Sequence, residues 1–195
     1  MRRGLRRVAA LASAFLLPTA SHAQVSPQDI AAANRGVVTE QGHDAAWHYD
    51  QHRKLNSAIN ALKPQRPGVI DAYVIVAGFD SDPVFGREAA ETAKVLARRY
   101  DAVGRTIVLA AGFGAVDQAI PHGSPANFET ALGAVSEKMN VKEDVLILYT
   151  TSHGAPEAGL AYRDGNYGFG WIGPKRLADL LNGVGISRRM VLLSA

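Results

Sequence analysis

The stretch EDVLILYTTSHG, Glu143 to Gly154, decides how the rest of the chain is read. Val145 to Tyr149 is an apolar run that predicts a buried strand. It ends in Thr150, Thr151 and Ser152 and presents His153 and Gly154 at its carboxyl tip, the edge at which α/β sheets assemble their sites. An imidazole there can move protons near neutral pH. The glycine permits close backbone approach, and its N–H can serve as an oxyanion donor. Position alone leaves a second reading open, a histidine that merely caps a strand end.

Working outward, VIDAYVIVAGFDSD carries a continuous β-branched run from Tyr73 to Ala77, and GRTIVLAAG carries another from Ile107 to Ala110. Between them Phe85, Ala89, Ala93, Leu96 and Tyr100 share one helical face. Ser124 can cap a helix with Pro125 in its first turn and Phe128, Leu132, Val135 and Met139 as its apolar stripe. LAYRDGNYGFGWI reads as a hairpin around Asp164-Gly165. Pro174 opens a helix with Leu177, Leu180, Leu181 and Val184, Gly185 closes it, and a last strand begins near Met190. Strands alternating with helices predict an α/β fold, a mainly parallel sheet with helices on both faces.

The amino-terminal part is different. Residues 1–23 have a basic start (Arg2, Arg3, Arg6, Arg7), an apolar stretch from Val8 to Leu17 and the small-residue site Ser21-His22-Ala23, which together read as a secretory signal peptide. An exported, periplasmic or secreted protein is therefore expected, with no membrane span in its mature part. Without those four arginines, 17 basic residues face 18 acidic ones of the original 21 and 18. No excess of positive charge is left to bind nucleic acid. Residues 24–68 read as a helical segment and linker, with Trp47, Leu55, Ile59 and Leu62 at helical spacing, closed by the breaker KPQRPG. The sheet domain is expected over 69–195. Cysteine is absent from all 195 residues, which excludes a disulfide framework.

Three other patterns carry less. GFGAVD, Gly112 to Asp117, follows a strand, but Asp117 stands where a dinucleotide loop needs glycine and would repel a pyrophosphate. His43, His48 and His52 could chelate a metal, yet the stretch lacks the glutamate of the H-E-x-x-H pattern and reads as a solvated helix face. A metal-dependent protein stays as a third class, and no metal or other cofactor is expected. His122, in IPHGS, reads as a surface residue.

If the last strand lies beside the His153 strand, the position after Ala195 emerges next to the imidazole, where a nucleophile belongs. At this point the residues resemble the legumain-like cysteine peptidases, peptidase family C13, of the caspase-like fold group. VLILYTTSHG is similar to the family's strand ending in S/D-H-G, RRMVLLSA to the strand that leads to its cysteine, and YVIVAGFDSDPVFGRE to its first strand and turn. The resemblance covers about Val69 to Ala195. It implies that His153 is the catalytic histidine, that Gly154 lies in the oxyanion hole, and that a nucleophilic cysteine and further strands follow Ala195. The 195 residues alone are then expected to be inactive. Legumains carry an acid two positions before the cysteine, on the wall of the substrate pocket. Ser194 takes that place here, and Arg87 falls near the family's basic pocket residue. A peptide or protein is the implied substrate, with oligomeric state left open. A non-catalytic binding module of the same fold is the alternative.

Overall fold

β2 (Ala72–Gly78) carries the core: Tyr73 through Ala77 are wholly buried, and the strand is hydrogen-bonded on both sides. In the computed structural model, which describes residues 25–112 and 117–195, it stands between β3 (Thr106–Ala110) and β4 (Val145–Thr151). β8 (Arg189–Ser194) follows β4, so the sheet runs β3-β2-β4-β8, with every pairing parallel. Residues 1–23, read from the sequence as a secretory signal peptide, and the inner part of GFGAVD lie outside the described residues.

Helices cover both faces, as the alternation of strands and helices requires. α3 (Pro83–Arg99) lays Ala89, Ala93 and Leu96 against Val74, Val76 and Ile147. On the other face α4 (Pro125–Lys138) and α5 (Pro174–Gly183) bring Phe128, Leu132, Val135, Leu177 and Leu181 to Tyr73, Ile75, Ala77, Leu146 and Leu148. Side chains alternate between the faces of a strand, so a strand covered twice reads as one unbroken apolar run. Local signals set the helix starts. The Ser124 hydroxyl accepts from Asn127 N at 3.2 Å and Pro125 sits in the first turn of α4, while Asp82 caps α3 ahead of Pro83. Each cap satisfies backbone donors that the helix itself leaves free.

A second, antiparallel sheet sits at the carboxyl edge of the first. It joins β1 (Val38–Glu40), β7 (Gly168–Ile172), β6 (Gly159–Asp164) and β5 (Gly154–Ala155), in that order. The hairpin around Asp164-Gly165 is its centre, and two bonds tie it to the end of β2: Arg163 N to Phe79 O at 2.9 Å and Ser81 N to Arg163 O at 2.8 Å.

The segment before Val69 contains α1 (Pro27–Arg35) and α2 (Ala45–Asn60), and also β1, where the sequence had suggested helices alone. Three residues are too few to show a periodicity, and β1 exists through its pairing with β7. Leu55 of α2 and Leu62 lie in the same apolar cluster as Tyr73 and Phe128. Leu55→Ala is therefore expected to lower the stability of the sheet by about 2–5 kcal/mol in one shared urea transition. A separate early transition for residues 25–68 would contradict this.

Candidate functional site

Two parallel strands deliver the site. The pairing of Thr151 with Ser194 and the bond from Ser152 N to Ser194 O, 3.1 Å, bring the tips of β4 and β8 together. His153 and Gly154 leave the tip of β4, and both are exposed. Ala195 lies against Gly154 so closely that a Cβ on the glycine would stand 2.8 Å from the alanine Cβ. A side chain at position 154 would have to push the β8 tip away. Behind this pair the Ser152 hydroxyl donates to Ala161 O, and Ala161 N donates to His153 O at 2.8 Å. The second sheet thus fixes the backbone on either side of the imidazole.

α3 supplies the wall. Phe85 meets His153 edge to face, with ring centroids 5.0 Å apart at 81°, a geometry aromatic pairs favour. One turn later Glu88 gathers three hydroxyls from the two strand tips: Tyr149, Thr151 at 2.7 Å and Ser194 at 3.4 Å. Hydrogen bonds from Tyr149 and then Thr151 hold its carboxyl below the usual carboxylate range, against the opposing effect of burial. Neither Phe85 nor Glu88 was singled out in the sequence. Phe85 served there only as a helix-face residue.

Of the four candidate residues, His153, Gly154 and Ser194 converge on this edge. Arg87 does not meet them. Exposed on the β3 side of α3, it lines a groove with Ala93, Thr106, Val108, Asp117 and Ile120.

Two histidines outside the strand tip, His122 and His43, behave differently from their sequence reading, whereas His48 and His52 lie on an exposed helix face as expected. His122 is buried at 8% exposure rather than on the surface, because its backbone N–H donates to Gln51 of α2 at 2.8 Å and Asn127 donates to its carbonyl at 2.9 Å. His43 stacks between Trp47 and Tyr167, 3.6 and 4.3 Å between centroids, and pairs with the buried Asp164 at 2.7 Å. His122 stands 3.4 Å from the same carboxylate oxygen. Burial lowers the His122 pKa, opposed by Asp164 and Glu40. His48 and His52 are exposed on α2, and among the described residues no three His, Cys, Asp or Glu side chains are grouped to hold a metal ion. No described helix is long and apolar enough to cross a membrane.

No protein-family model, curated protein or solved structure matches the chain.

The lowered Glu88 pKa carries a sign. A carboxylate whose pKa is lower when folded adds stability above its unfolded value and loses it as pH falls through the folded one. Glu88→Gln should therefore destabilise the protein near pH 7 and match the parent more closely at about pH 3, read as urea midpoints. A gap that is the same at both pH values would show that the charge of Glu88 has no part in it.

Proposed function

We propose that the protein is an exported cysteine endopeptidase of the legumain-like, caspase-fold kind, with His153 as its base and the nucleophilic cysteine at the position following Ala195. One observation carries this reading: the parallel tips of β4 and β8 set Ala195 against Gly154, beside His153. A residue one step beyond Ala195 lies within about 4 Å of it along the backbone, within reach of the imidazole. Phe85 and Glu88 then flank the reacting groups from α3, and Ser194 forms part of the substrate wall.

In this mechanism the imidazole takes the thiol proton, or holds the pair as thiolate and imidazolium, and the thiolate attacks the peptide carbonyl. The N–H of Gly154 and that of the cysteine receive the oxyanion. The imidazolium then protonates the leaving amine, and water releases the acyl group from sulfur as a carboxylic acid. The 195 residues contain no cysteine, which is the observation behind a second reading, a non-catalytic binding module of the same fold.

The test uses the full-length gene product on a panel of fluorogenic peptides. Hydrolysis should fall about 10²–10⁴-fold in His153→Ala and vanish after thiol alkylation. A gene with no cysteine codon after that of Ala195, hydrolysis that survives thiol alkylation, or a His153→Ala variant as active as the parent rejects the dyad.

A further inference from the structure

We propose that the cleft beside Gly154 receives an apolar side chain of the peptide next to the cleaved bond, making the substrates peptides with a large aliphatic residue at that position. The inference rests on the peptidase reading and names the substrate class of the same site.

The cleft has a volume of ≈ 370 Å³ and lies between the β6–β7 hairpin, the start of α5 and the tip of β8. Leu160, Ile172, Leu177 and Leu193 line it together with Gly154, Ala155 and Ala195. None of these residues carries a charged or hydrogen-bonding side chain, so a polar group entering the cleft would lose water without gaining a side-chain partner. An aliphatic side chain loses nothing there and gains by burial.

Position makes the occupant a substrate side chain. Gly154 and Ala195 belong both to the cleft and to the strand tips that carry the proposed dyad. A peptide whose carbonyl oxygen is held at the Gly154 N–H spans about 3.3–3.6 Å per residue, so the side chain flanking that carbonyl passes the mouth of the cleft. Glu88 and Ser194 lie on the other face of β8, and alternation directs Leu193 and Ala195 to the cleft instead. The two faces of one strand tip thus present a carboxylate to one side of the bound peptide and an aliphatic pocket to the other.

The experiment is fluorescence anisotropy with the full-length protein carrying His153→Ala, so that binding is read without turnover. Labelled hexapeptides differ only in having leucine or aspartate at each position in turn. At one position leucine should bind about tenfold or more tighter than aspartate, and Leu193→Glu should erase that difference. Ala155→Phe, which fills the cleft, provides the second variant, with melting curves confirming that both are folded. Equal binding of the leucine and aspartate peptides overturns the proposal, as does a preference that survives both variants. Failure of the two readings is distinguishable: hydrolysis by the parent protein without a leucine preference rejects the cleft, whereas a variant-sensitive leucine preference without hydrolysis supports the cleft and rejects the peptidase.

Discussion

β4 is hydrogen-bonded in parallel to β2 on one side, from Ala72–Val145 to Gly78–Thr151, and to β8 on the other, from Leu146–Arg189 to Thr151–Ser194. Every feature of the carboxyl edge hangs from this double pairing. Parallel strands end at the same edge, so residues far apart in sequence are delivered side by side without any long side chain having to reach across. A one-residue slip of β8 would exchange its faces. Ser194 would leave Glu88, and Leu193 would turn away from the apolar cleft. At the opposite end Asp144 accepts from the N–H groups of Asp71 and Asn140 at 2.8 and 2.7 Å and fixes β2 against the start of β4, while Leu146 N donates to Arg188 O at 3.0 Å and the Arg188 guanidinium to Glu143 O at 3.1 Å where β8 begins.

Glu88 is the counterpart of that anchor at the carboxyl edge. A partly buried carboxylate has a desolvation cost, and here three hydroxyl donors from β4 and β8 offset it. Because the donors come from two strands, the carboxylate links their tips as well as solvating itself. The same helix turn carries Phe85 to the edge of the His153 ring, so the orientation of α3 and that of the imidazole are coupled through adjacent contacts.

Much of this was legible because burial leaves a mark on sequence. β2 is covered on both faces and reads as an uninterrupted apolar run, and Ser124-Pro125 announces α4 through cap chemistry that is local by nature. The hairpin at Asp164-Gly165 is legible for the same reason, since turn geometry selects its residues. What was not legible depends on partners distant in sequence. β1 is three residues long and exists through β7. His43 meets Asp164 across 121 positions, and neither residue type nor spacing near His43 signals it. Glu88 differs from the solvated Glu91 of the same helix only in what lies beneath it.

The His43–Asp164–His122 cluster explains why residues before Val69 are bound into the fold rather than strung beside it. Asp164 ends β6, His43 lies just before the Asp44 cap of α2, and His122 lies just before α4, so one buried carboxylate joins its own strand to two other segments. A buried carboxylate left without such partners would be strongly destabilising. The β6 end and the amino-terminal segment therefore constrain each other, and that constraint is passed along β6, through its pairing with β5, to Gly154. The oxyanion glycine of the proposed site is thus held from two directions. β8 packs against it from one side, and the second sheet, steadied at its far end by residues that the sequence places more than a hundred positions earlier, holds it from the other.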